Sequence, residues 1–531
     1  MNHITKLSRG HTRCLSLNGF ASLARTPIRQ VFLLFVLISG ITAFTSTTVA
    51  ADQDTDLLRK SVINFECKIE ERDPMRPWLP HPGTVIGGSG VVIAPGRILT
   101  NAHVVHQAKE ILLETDQTPL PVNGTVLAID LGRDLALIEV TDEDFIAMHP
   151  PVELMDGLPS DGADIIVMGY PMGGETLSTT TGVISRCEWE KSGRGMDEGM
   201  RVQVDAAVNP GNSGGPGFVD GTIAGISVSG LAASLADNIA YLIATEEISR
   251  FLREADAGLI DGNSILNVSV QDMKNPALRK KLGVNSSVSG VVVIEDDRGL
   301  LKPWDIITKL NGIIVENDGQ ITIENDRKVS MNAAIGRFDP LLDGDSIEIE
   351  ILRGGKPMTL SVPPISGREA VIQNRPNGNY PYIVVGPLVF GPMHDELTMA
   401  HRQDRWGNYV YFYGGGPFLD HYMDDTPGDG KEIVTLLSSM LSHPTARGYD
   451  AYPGQTIKSV NGETFDNFTE FVKLIADLKD DWLVIEFNES QASRLVFDRK
   501  ELYKATSDIM ESNGIRRAAS KEFRGIWSVD D

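Results

Sequence analysis

Cysteine is scarce in this chain: three in 531 residues, of which only Cys67 and Cys187 lie beyond the first fifty. So few thiols exclude a disulfide-framed fold, and the two are read as separate buried thiols, with a single bridge as the alternative. No HExxH helix and no paired CxxC occurs, and the histidines are scattered. The acidic stretch Asp424–Gly430 lacks calcium-loop spacing and reads as a solvated turn, so neither a metal nor another cofactor is expected. Positive charge is also in short supply. The net charge is -24, and the first fifty residues hold five basic side chains and no acidic one, so the remainder carries -24 less 5, or -29. Such a surface repels nucleic acid and anionic lipid, which excludes a nucleic-acid partner.

What is present begins with a leader. Lys6, Arg9, Arg13, Arg25 and Arg29 precede an apolar run from Val31 to Phe44, followed by Thr48-Val49-Ala50-Ala51. Basic, apolar, then small residues is the order of a secretory signal over residues 1–50, and the apolar run is short for a membrane span. An uncleaved leader tethering the chain to a membrane is the alternative. The remaining length predicts three or four domains, and 41% hydrophobic with 23% charged residues is a globular composition.

From about Ser61 to Thr245 short strands alternate with turns, and Arg201–Val208 alternates in period two. Ser89–Ala94, Ile98–Val105, Glu110–Glu114, Leu135–Val140, Ile165–Gly169 and Thr180–Cys187 complete the series. This spacing predicts an all-β unit over 51–258, long enough for two small packed barrels. A helix over Glu246–Ala257, with Ile248, Phe251 and Leu252 on one face, closes it before Gly258. A mixed unit spans 264–362, a Pro- and Gly-rich linker 363–379, and a third unit 380–531. Asp305–Gly312 is echoed by Gln455–Gly462: each follows a proline and ends a strand in Asn-Gly, a tight-turn signal that suggests a duplicated fold.

The chemistry concentrates in the β-rich unit. Ser213 lies in Asn209-Pro210-Gly211-Asn212-Ser213-Gly214-Gly215-Pro216. Glycines there let the chain turn tightly enough to expose a hydroxyl and aim backbone N–H groups, expected from Gly211 and Ser213, at a developing oxyanion. His103 ends the apolar strand Leu99–Val105, and Asp134 opens Leu135–Ile138. Singly, each has an ordinary structural explanation. The order His, Asp, Ser, with the first two in one half of the β-rich span and the serine in the other, is that of a chymotrypsin-type catalytic triad. His103 is the expected general base, Asp134 its orienter and Ser213 the nucleophile.

Gly87–Ile93, Ile98–Val105 and Asp205–Pro216 together resemble the HtrA/Deg (protease Do) family of serine endopeptidases. Asn275–Lys280 and Ala505–Ile509 resemble its plant-type Deg branch, which carries a divergent second PDZ domain. The resemblance implies a mainly β chain: a chymotrypsin-like double β-barrel followed by two PDZ-like α+β domains. It further implies an exported, periplasmic enzyme without an ATP requirement, assembled as homotrimers or multiples of them. Its partners would be unfolded polypeptide substrates and peptide C-termini. Peptide binding in the first PDZ domain is expected at Ile265, Leu266, Asn267 and Val268, where Asn267 replaces the family's glycine. Ala207, six residues before Ser213, would floor the specificity pocket without charge, walled by Ile239 and Tyr241, which favours small or medium aliphatic side chains. Asn212 in place of an aspartate before the nucleophile argues against activation by propeptide clipping. The reading is a serine endopeptidase degrading unfolded or damaged proteins in envelope quality control. A chaperone or peptide-binding scaffold with a vestigial protease unit, and an esterase using the same triad, are the alternatives.

Overall fold

In the computed structural model the described residues are 55–528, less 71, 81–82, 116–119, 172–175, 192–197, 207, 229–238, 261–263, 267, 297, 324–325, 340–341, 343, 367–370, 374, 376–377, 395, 399–429 and 490–493. The leader and most of the acidic stretch 424–430 fall outside them.

The period-two pattern between Val62 and Ala244 resolves into two sheets. The first has seven strands, in the order Val122–Asn123, Ala108–Glu114, Val62–Ile69, Thr84–Ala94, Arg97–Thr100, Leu135–Glu139 and Thr125–Asp130. The second closes as a barrel: Asp164–Gly169, Ser178–Lys191, Glu198–Val204, Ala240–Ala244, Thr222–Val228 and Pro216–Val219. One apolar cluster joins them, with Val91, Leu99 and Leu137 from the first sheet against Met168, Phe218 and Ile226 from the second. The two sheets therefore share one apolar core along their seam.

The helix Thr245–Ala257 lies against this seam and ends at Gly258, whose φ of 69° supplies the left-handed C-terminal cap. Ile248 and Phe251 are fully buried in the seam cluster, with Leu252 packed beside them. Burying each of the first two contributes about 1.5–3 kcal/mol relative to exposure.

A third sheet runs Val268–Gln271, Val291–Asp296, Ile306–Leu310, Ile347–Arg353 and Lys356–Val362, with Ile313–Ile314 paired to its middle strand. The short helix Met331–Gly336 covers it, and Val329 and Ala333 also enter the interior cluster of the closed barrel. The C-terminal region holds two three-stranded sheets, Ile383–Val385 with Leu388–Pro392 and Val434–Leu436, and Ile457–Val460 with Trp482–Phe487 and Leu495–Asp498. Helices Phe468–Asp477 and Arg499–Ser512 complete one core with them.

The two Asn-Gly turns adopt the same geometry. Asn311 and Asn461 have φ of 43° and 50°, followed by Gly312 and Gly462 at 77° and 84°. In each, the asparagine N–H donates to, and its side-chain carbonyl accepts from, one residue of a neighbouring strand: Glu348 for Asn311, Val484 for Asn461. A shared backbone requirement thus explains the shared sequence pattern.

Two details differ from the sequence reading. The predicted strand Ile98–Val105 stops at Thr100, and Ala102–Val105 forms a single helical turn. The Asn101 side-chain Nδ2, at the start of that turn, donates to the Asp134 carbonyl at 3.0 Å. The linker expected over 363–379 contains the strand Ile365–Ser366, paired with Ser264–Ile265, and buried Val371 and Ile372. Apolar residues within a Pro- and Gly-rich stretch are drawn into neighbouring cores, so composition overstated the linker's length.

Candidate active site

His103 and Asp134 arrive from two strands of the first sheet. Arg97–Thr100 leads into the turn carrying His103, and Leu135–Glu139, its paired neighbour, begins just after Asp134. Asp134 has φ of 60°, a left-handed conformation that an aspartate tolerates better than most residues. The turn before it is set by Asp130, whose Oδ1 accepts the N–H groups of Gly132 (3.0 Å) and Arg133 (3.2 Å).

The Asp134 carboxylate then grips His103 twice. Oδ2 lies 2.7 Å and Oδ1 3.0 Å from His103 Nδ1, and Oδ1 also accepts the His103 backbone N–H at 2.9 Å. A carboxylate can only accept, so Nδ1 carries the proton, and Nε2 is left as the basic nitrogen of the neutral ring. Side-chain exposures of 16% and 13% make the pair sheltered yet reachable.

Ser213 comes from the loop between the strands Glu198–Val204 and Pro216–Val219 of the closed barrel. Gly211 (φ 100°) and Gly214 (φ 85°) bracket the turn. A side chain at Gly214 would fall 2.1 Å from the Ser89 carbonyl oxygen and 2.3 Å from Thr100 Oγ1, so only glycine allows this approach. The turn is consequently pressed against Thr100 and Asn101, the residues that lead into His103. Ser89 N–H donates to the Ser213 carbonyl at 2.8 Å across the seam. The fold thus brings the neighbourhoods of His103, Asp134, Gly211 and Ser213 together, although 110 residues separate His103 from Ser213 along the chain.

The chain matches the Trypsin-like peptidase domain model over residues 88–226 and the PDZ domain model over residues 371–522. It is 30% identical over 482 residues to Protease Do-like 2, chloroplastic, of Arabidopsis thaliana, covering 87% of this chain and 76% of that one. The chain belongs to the Do-like (HtrA/Deg) protease family. It is a serine endopeptidase. Protease Do-like 4, mitochondrial, of the same plant is 28% identical over 465 residues, covering 85% and 83% of the two chains. Among solved structures, HtrA-type protease AlgW with decapeptide aligns at 24% identity and a TM-score of 0.45, over 59% of this chain and 97% of that one. The expected mainly β fold with trypsin-like and PDZ parts holds, as does the likeness to the plant Deg proteins.

The remaining expected site residues are less gathered. Ala207 and Asn267 fall outside the described residues. Ile239 and Tyr241 are half-buried, and Tyr241 lies on a barrel strand paired with Gln203 and Val228, its hydroxyl 3.5 Å from Glu188 Oε1. Leu266 is 4% exposed inside the core of the third sheet, and its carbonyl accepts Arg298 Nη2 at 2.8 Å. The stretch Ile265–Val268, expected to bind peptide, is divided. Ile265 pairs with Ile365, whereas Val268–Gln271 is the outermost strand of its sheet, bonded on one side to Val291–Asp296.

Two features escaped the sequence reading. Ser89 and Thr100, both fully buried, bridge the strand before His103 to the Ser213 turn. Their only signal was a small polar residue inside each of two apolar strands. Arg133, beside Asp134, is buried in a charge cluster with Asp130 and Glu254. An arginine in a loop next to a carboxylate carries no sign that it points inward.

Proposed function

We propose that Ser213 attacks the scissile peptide carbonyl while His103 Nε2 takes its proton, Asp134 holds the ring and stabilises the imidazolium, and the Gly211 and Ser213 N–H groups receive the oxyanion. Proton return from His103 to the leaving amine gives an acyl-enzyme on Ser213 Oγ, and water activated by the same base releases it. One observation carries this reading: the double grip of Asp134 on His103 occurs beside a serine turn wedged by Gly214 against the approach to that histidine.

The substrates are unfolded or damaged polypeptides, cleaved without ATP after small or medium aliphatic residues that enter a pocket floored by Ala207 and walled by Ile239 and Tyr241. PDZ domains take peptide ends by adding them as a strand to a sheet edge. In the unit over 264–362 that role falls to Val268–Gln271, at the end of the Ile265–Val268 stretch; the C-terminal unit serves assembly into trimers or their multiples. The leader carries the chain out of its compartment of synthesis for envelope quality control, in the periplasm or, as the names of the plant relatives suggest, an organelle. Among the described residues no helix is long and apolar enough to cross a membrane.

Casein degradation by the wild type and by Ser213→Ala tests the assignment. Loss of several orders of magnitude with unchanged fold is expected, because triad members act as a unit. Activity retained in Ser213→Ala would overturn it, and chaperone activity without any proteolysis in the wild type would favour a scaffold. N-terminal sequencing of the mature protein, with cell fractionation, tests the leader.

A further inference from the structure

We infer that Ser89 is a positioning residue for catalysis: its side-chain hydroxyl clamps the Gly211–Ser213 turn and keeps the oxyanion donors aimed. The inference rests on the reading of Ser213 as nucleophile and of Gly211 and Ser213 as oxyanion donors.

Ser89 is fully buried, on the strand Thr84–Ala94 of the first sheet, and its hydroxyl and N–H both reach the opposite half of the protein. Its Oγ donates to the Gly211 carbonyl at 2.8 Å and accepts the Tyr170 N–H at 2.8 Å. Its N–H donates to the Ser213 carbonyl at 2.8 Å. Its own carbonyl is held at 2.7 Å by Thr100 Oγ1, in the strand leading to His103. The intervening Asn212 carbonyl is held by Ser227 Oγ and by the Gly215 N–H. Three successive carbonyls of the turn are therefore fixed, two of them by Ser89.

A peptide unit is planar and trans, so anchoring a carbonyl fixes the direction of the N–H on its far side. The Asn212 carbonyl thereby orients the Ser213 N–H. Anchoring the Gly211 carbonyl fixes the peptide plane that also carries the Asn212 N–H, a donor to the Asn209 carbonyl at 3.0 Å. It so restrains backbone rotation at Gly211, whose φ is 100° and whose glycine freedom would otherwise let this residue and its own N–H reorient. Because Tyr170 directly follows the strand Asp164–Gly169 of the closed barrel, the hydroxyl also ties the turn to the barrel. Without the hydroxyl, both backbone bonds of Ser89 remain, but the Gly211 carbonyl loses this partner.

The test compares Ser89→Ala and Ser89→Cys with the wild type on a short chromogenic peptide, alongside inhibition by a peptide boronate, whose tetrahedral adduct on a serine places an oxygen where the oxyanion forms. Removing a direct oxyanion donor costs roughly 100–1,000-fold in kcat, so loss of a residue that positions donors should cost about 10–50-fold. We expect that fall in kcat for Ser89→Ala with KM unchanged, a boronate inhibition constant raised by the same factor, and an intermediate value for Ser89→Cys, whose thiol is a weak donor. Should Ser89→Ala fail to fold, Ser89→Cys alone must show kcat and boronate affinity falling together. A kcat within about threefold of wild type, or a reduced kcat with unchanged boronate affinity, would overturn the inference. Ser213→Ala is assayed in parallel: full activity there would overturn the nucleophile reading, whereas its inactivity beside a normal Ser89→Ala would overturn only the role of Ser89.

Discussion

Replacing Arg133 by methionine is expected to unfold the seam at substantially lower denaturant. The guanidinium is fully buried, and its Nη1 and Nη2 donate to Glu254 at 2.7 and 2.9 Å while Nη1 also reaches Asp130 at 3.1 Å. Burial works to discharge it, but Asp130, Glu254 and Glu247 outweigh that effect and hold it above the ordinary arginine value. Glu254 in turn accepts Arg250 Nε at 2.9 Å, and Arg250 Nη1 donates to the Gly336 carbonyl of the next unit. Methionine fills similar space but leaves three buried carboxylates, Asp130, Glu247 and Glu254, without their shared cation, with Arg250 still bound to Glu254. Removing one partner of a buried pair costs about 3–5 kcal/mol, against about 0–1 kcal/mol for an exposed pair. The assay is guanidinium unfolding followed by tryptophan fluorescence in a Ser213→Ala background, which prevents self-digestion. Adding Glu254→Gln to Arg133→Met should recover part of the loss. A cost below about 1 kcal/mol for Arg133→Met would refute the argument that the cluster depends on this charge.

Other outcomes are equally open to measurement. Burial, reinforced by Glu66, pushes the Cys67 thiol up to about 12, and burial pushes Cys187 up to about 11, so neither should react with a thiol reagent at pH 8 until the protein is denatured; mass-spectrometric mapping of labelled residues checks this. Burial raises the Glu489 carboxyl against the opposing hydrogen bonds from Thr456, so the native state keeps this proton to higher pH than the unfolded chain. Its contribution to stability therefore falls as pH rises from the ordinary glutamate value, about 4.3, and Glu489→Gln should flatten that part of the stability-pH profile. Cut sites in a denatured protein should follow Val, Ala or Ile, and predominant cutting after Lys or Arg would overturn the pocket assignment. Truncation after residue 370, which preserves the Ile365–Ser366 pairing, should lower oligomer size by light scattering while sparing short-peptide cleavage.

The sequence by itself determined the strand-rich halves, the closing helix at Thr245–Ala257 and the duplicated Asn-Gly turns, because each depends on local backbone demands: period-two burial, a left-handed cap, paired positive φ values. It also singled out His103, Asp134 and Ser213, since their types, order and glycine context are legible along the chain. Tertiary structure decided what depends on distant segments meeting. It turned His103 off its strand onto a helical turn held by Asp134, buried Arg133 against Glu254 from 121 residues away, and set Ser89 against Gly211 across the seam. It also occupied the Ser264–Ile265 edge with a strand taken from an apparent linker. Those contacts are made by side chains and carbonyls whose partners lie far off in sequence, and no local pattern encodes which carbonyl a buried serine will meet.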